Sequence, residues 1–165
     1  MKLCRLIATA ILIVGAPLAV KAAATVSLST SGGVTFSAGN PSLQPVTPAS
    51  TSLVATITIN GAKSTDTWGL KIRGLNSNFT GSSGLPIPSS NVHWSASASV
   101  IDGKGTVTVA SGQNLSTTDI TVASGLEGNK SPFTVQVIFT FTITNSWTYD
   151  ADTYLQNLVL TATAN

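Results

Sequence analysis

Phe133, Val135, Val137, Phe139, Phe141 and Ile143 fall on every second position of one stretch, with Thr134, Gln136, Ile138, Thr140 and Thr142 between them. Successive side chains of an extended chain point to opposite faces, so this period specifies a strand buried on one side; a helix would scatter the same six residues around its surface. Aromatic and β-branched types at those positions suit a pleated, half-buried surface. At ~3.4 Å per residue the stretch would run about 40 Å, long for one strand, which predicts a bend or bulge along it.

The rest of the chain after residue 22 follows the same rule. Val26 and Leu28, then Val34 and Phe36, mark short strands around Gly32-Gly33. Leu53, Ala55, Ile57 and Ile59 share one face, as do Trp68, Leu70 and Ile72, and Val92, Trp94, Ala96, Ala98 and Val100. "GTVTVAS" and "DITVAS" are shorter, and "TYLQNLVLTATA" closes the chain. Clusters of Gly, Pro, Asn and Ser separate these runs, and the Pro-rich stretch from Asn40 to Pro48 reads as a loop or edge segment. About eight or nine strands with turn signals between them predict an all-β antiparallel sandwich, one domain over residues 23–165.

Residues 1–22 differ. Lys2 and Arg5 precede an uncharged, mostly apolar run from Leu6 to Val20, followed by Ala22, Ala23 and Ala24. Charged, apolar and small segments in that order predict a secretory signal peptide, a leader helix removed on export. With it go Lys2, Arg5, Lys21 and the chain's one Cys, leaving five Lys and Arg against six Asp and Glu. The basic pI of 8.9 therefore belongs largely to the leader. No basic patch remains for phosphates, and no disulfide, thiol nucleophile or Cys-based metal site remains either. The expected mature protein is secreted or held at the cell surface, has no membrane segment, and takes no nucleic acid.

Chemistry concentrates in "TNSWTYDADTY". His93, the one His, sits on the polar side of its strand and lacks a nucleophile-elbow motif, so neither a triad nor a zinc or copper set can be assembled around it. The expectation is a non-enzymatic chain without cofactor or metal. Asp150, Asp152 and Asn145 offer a few oxygens, fewer than the six to eight a calcium ion takes. Trp147 and Tyr149 form the candidate platform for a sugar ring, whereas Trp68 and Trp94 share faces with aliphatic residues and read as core. Asp150-Ala151-Asp152-Thr153-Tyr154 resembles the "D-x-[GA]-x-Y" corner of immunoglobulin-like domains, which implies an immunoglobulin-like sandwich whose Tyr pins the crossing between sheets. Gln156 stands where that comparison places a Cys.

Two further resemblances touch parts of the chain. "TDTWGLKI" with the closing "TYLQNLVLTATAN" resembles the WxL domains of bacterial cell-wall proteins, with Trp68 and Leu70 matching the first motif and Val159-Leu160-Thr161 in place of the second. That likeness implies an all-β domain associated with peptidoglycan. "DTYLQNLVLTATA" is also similar to the end of spore-coat-U and related secreted pilin-like domains, which carry a disulfide that this chain lacks. Both imply a bacterial surface protein. The expected role is structural or adhesive, with other copies or other surface proteins as partners. Uncharged edges open a route to assembly by strand addition, with "TVSLS" as a candidate donor. The alternative is a carbohydrate or peptidoglycan binding module centred on Trp147 and Tyr149.

Overall fold

Phe133–Thr144 forms the spine of the molecule, paired along both edges and buried at every odd position from Phe133 to Ile143. The computed structural model describes residues 24–37, 40–61, 65–82, 85–128, 131–149 and 152–165, and the backbone of 7–12. In chain order the strands are β1 (Ile7–Leu12), β2 (Thr25–Ser31), β3 (Val46–Pro48), β4 (Leu53–Asn60), β5 (Thr67–Gly74), β6 (Asn78–Phe79), β7 (Ile87–Pro88), β8 (Val92–Asp102), β9 (Thr108–Val109), β10 (Gln113–Asn114), β11 (Ile120–Leu126), β12 (Phe133–Thr144) and β13 (Leu155–Ala164). A single 3-10 turn, Ser89–Asn91, precedes β8. Among the described residues there is no α-helix.

The strands form two main sheets. One has the order β1-β13-β5-β11-β9; the other runs β10-β8-β12-β4-β2, with β3 continuing along β12 beyond the end of β4. All pairings are antiparallel except that of β1 with β13. The inner faces of both sheets contribute to one apolar core. Ile57, Ile59, Trp94, Phe133 and Phe139 come from the six-stranded sheet, and Trp68, Leu70, Ile72, Leu158 and Leu160 from the other. The Trp68 and Phe133 rings, 6.1 Å apart, join the two layers. Fully burying one such side chain is worth about 1.5–3 kcal/mol.

Alternation sets these faces as the sequence predicts. Leu53, Ala55, Ile57 and Ile59 are buried in β4, and Trp68, Leu70 and Ile72 in β5. The irregularity predicted for the long strand lies on its partner: Thr134 opposes Asp102 and Val135 opposes Val100, so Ile101 of β8 is the extra residue of a bulge. Two predicted strands shrink. "GVTFS" leaves an isolated bridge from Phe36 to Ala49, and "GTVTVAS" retains β9 alone. The segment after β8 instead packs edge-on against β11, where a Cβ on Gly125 would lie 2.0 Å from the Thr106 carbonyl oxygen. The Trp68 indole N–H donates to that same oxygen at 3.1 Å.

Most of the predicted leader lies outside the described residues. Its described part, Ile7–Leu12, is the strand β1 and not the expected helix. A short run of Ile, Ala, Thr and Leu suits either state, and six residues make barely two helical turns. An edge with free backbone groups supplies the partner a strand needs.

Candidate functional site

The "TNSWTYDADTY" stretch divides into two halves with different surroundings. Asp150 and Ala151 lie outside the described residues, so the corner begins at Asp152. Its carboxylate accepts from the Ser82 hydroxyl at 2.9 and 3.0 Å and from the Thr153 amide at 2.7 Å. Tyr154 is fully buried. A Cβ on Gly81 would stand 2.6 Å from Asp152 Oδ2 and 3.0 Å from the Tyr154 ring, so a larger residue would crowd both. Thr80 and Leu155 exchange two backbone hydrogen bonds, 3.1 and 2.9 Å long.

Two residues further on, Gln156 reaches inward and is 2% exposed. Its Nε2 donates to the carbonyl of Asn76 and to Ser89 Oγ, and its Oε1 accepts from the amides of Asn76 and Asn157. Ser89 Oγ in turn donates to the Asn76 carbonyl at 2.9 Å. A buried polar group is tolerable when its donors and acceptors are met, and this knot meets them. Gln156 thereby ties β13 to the β5–β6 and β7–β8 connections. In an immunoglobulin-like comparison this position would hold a Cys.

The first half of the stretch faces water. Trp147 is 72% exposed, and its indole N–H donates to Ser42 Oγ at 3.3 Å. Ser146 and Thr148 form a compact hydroxyl turn beneath it, and the Asn145 amide bonds to the Pro45 carbonyl at 2.8 Å. Leu43 and Val46, both exposed, lie in the loop and strand that this bond joins to the Trp147 turn. Tyr149 goes elsewhere. It is half-buried against the core, and its hydroxyl accepts from Asn91 Nδ2 at 2.9 Å. The ring pairs among the described residues are Trp68–Phe133, Trp94–Phe139 and Phe139–Phe141, so Trp147 and Tyr149 do not form a shared platform.

A different feature stands out along β13. Along the side away from β5 it carries β1 in parallel register over six residues, from Ile7 opposite Leu155 to Leu12 opposite Leu160. Leu158 and Leu160 are core residues, but Val159 between them is 1% exposed without belonging to the core. This edge is therefore covered along its side and on its outer face. "LQNLVL" contains no Pro, Lys, Arg, Asp or Glu, the residues with which edge strands resist pairing.

His93 is exposed, with Nδ1 3.2 Å from Asn114 Oδ1. Among the described residues, no group of three or more His, Cys, Asp and Glu could hold a metal. One carboxylate was not singled out by its sequence. Glu127, in "SGLEGNK", is fully buried, and among the described residues neither of its carboxylate oxygens has a hydrogen-bond partner. Its amide donates to the Asp66 carbonyl at 2.9 Å. Burial first, and repulsion from Asp66 second, raise its pKa from the ordinary 4.5 to about 7. A lone Glu between two glycines reads as a solvated turn, so nothing local announces its burial.

No protein-family model, curated protein or solved structure matches this chain.

Proposed function

We propose that residues 23–165 are an exported, non-enzymatic β-sandwich of immunoglobulin-like type with a structural or adhesive role at the cell surface, and that the chain assembles by strand addition. The observation that carries this reading is the acceptance of an apolar strand by β13, in unbroken register over six residues. Once the leader is removed, that edge offers unpaired backbone donors and acceptors with no charge or proline to discourage a partner. The donor proposed from sequence, "TVSLS", is engaged at home, since Thr25 to Ser31 pair with Asn60 to Val54 of β4. The working surface is thus the acceptor edge of β13, and its partner is an uncharged strand of another copy or another surface protein. Trp68 and Leu70, which carry the WxL likeness, are both in the core, so any wall contact is made by other residues.

The test is the size of the leaderless chain as its concentration rises. Particles larger than a monomer are expected by light scattering, and Leu155→Lys, which sets a charge at the half-exposed start of that edge, should return them to monomers with an unchanged circular dichroism spectrum. A wild-type chain that stays monomeric at every concentration would remove the proposal.

A second reading, a carbohydrate-binding module, is favoured by one observation: Trp147 is exposed and its indole is held in place by Ser42. Tyr149 is not available as its stacking companion. Quenching of tryptophan fluorescence by polysaccharide, abolished in Trp147→Ala, checks this reading.

A further inference from the structure

The outer face of the six-stranded sheet has a composition that exposed protein surfaces rarely show. Its strands β2, β3, β4, β8, β10 and β12 contain no Lys, Arg or Glu, and their one Asp, Asp102, stands at the very end of β8. Solvent-facing surfaces ordinarily carry about a quarter to a third charged residues. The other sheet carries Lys71 and Arg73 at outward positions of β5, where Arg73 meets Asp119 of a connection at 3.3 Å; other charges lie in the connections.

What replaces charge is ordered. The registers bring Ser31, Val54, Ile138 and Ser97 into one row across four strands, with the two aliphatic residues in the middle and hydroxyls on either side. Ile138 is 37% exposed. Next along the strands, Ser95 and Thr140 hydroxyls meet across β8 and β12 at 2.7 Å. Short hydroxyl side chains on a paired sheet lose little rotamer freedom on binding, and each retains capacity for a further hydrogen bond. β12 ends at Thr144, and three residues on the indole of Trp147 is exposed.

We infer that the outer face of the six-stranded sheet, together with Trp147 at its end, is the docking surface for an extended neutral polysaccharide. The inference rests on the second reading above and widens it from one loop to a whole face. A pyranose polymer presents apolar C–H faces and hydroxyl edges in alternation. The first suit Ile138, Val54 and the indole; the second suit the flanking Ser and Thr. A strand of eleven residues such as β8 spans about 36 Å at ~3.3 Å per residue, room for several rings in a line. An anionic polymer finds no Lys or Arg on the strands of this face. A second copy is a poorer fit, because protein interfaces need a more apolar centre, enriched in aromatic residues and depleted in Ser, than Val54 and Ile138 provide.

The experiment is retention of the purified chain on microcrystalline cellulose and on chitin, comparing wild type with Ser97→Lys, which flanks Ile138 on the face, and with Trp147→Ala beyond the end of β12. Wild type should be held by at least one polymer, and each substitution should weaken retention by about tenfold or more, the equivalent of ~1.4 kcal/mol, with the circular dichroism spectrum intact. No retention on either polymer overturns the inference and the second reading together. Loss in Trp147→Ala with Ser97→Lys still bound overturns the inference alone and leaves binding to the loop. A wild-type dimer that Ser97→Lys dissociates, without polymer retention, assigns the face to a second copy and likewise overturns it.

Discussion

A carboxylate sealed from water and from hydrogen-bond donors persists most cheaply by keeping its proton, and Glu127 is in that position. Its pKa of about 7 against an ordinary 4.5 means that the folded chain binds this proton more tightly than the unfolded chain does. The stabilisation is complete below pH 4.5, declines as pH rises from there to 7, and is gone above 7. Glu127→Gln should therefore flatten this part of the pH profile and raise stability at pH 8 by about 1–3 kcal/mol, measured by urea unfolding at pH 5 and pH 8. Gln156 is the opposite case, a buried polar side chain with every group engaged. Gln156→Leu keeps the volume but strands the Asn76 and Asn157 amides, so a loss of about 2–3 kcal/mol is expected from the same urea titration. Neither role could be read locally. "SGLEGNK" looks like a turn and "YLQNL" like a strand with one polar position, and their partners lie far away in sequence.

Among the elements, β12 was the most legible. Six alternating apolar residues defined a strand and its inner face without reference to any other segment. That it is flanked by β4 and β3 on one side and β8 on the other is a matter of pairing, and its own residues do not state it. With partners on both edges, its amides should be the last to exchange with deuterium, at the free energy of global unfolding. Phe139, fully buried between Trp94 and Phe141, should cost about 3–5 kcal/mol when cut to alanine, seen as a lower urea midpoint. β13 was legible only in part. The sequence marked it as the closing strand, but nothing in "LQNLVL" revealed that its second edge would pair with β1.

For the whole molecule, two layers are assembled almost wholly from partners distant in sequence: β2 meets β4, but β5 meets β11 and β13, and β12 meets β4 and β8. Closing such long loops before any contact rewards them is slow. Refolding should accordingly take milliseconds to seconds, followed by stopped-flow fluorescence of the buried Trp68 and Trp94. The uneven distribution of charge is also a property of the assembled sheets. Sparse charge was evident from composition at 8% of residues. Its segregation, with one sheet face nearly bare and Lys71 and Arg73 on the other, emerges only when registers align the strands.

For the longer alternating segments after residue 22 the chain by itself determined strands and their inner sides, because alternation is a property of the extended backbone and requires no partner. Tertiary structure alone decided which strands are neighbours, that both polar atoms of the Gln156 side chain would be bonded while those of Glu127 find no partner among the described residues, and that β13 would take β1 along its second edge. Those outcomes depend on loop closure and on competition among many similar apolar faces, and no stretch of a few residues contains that competition.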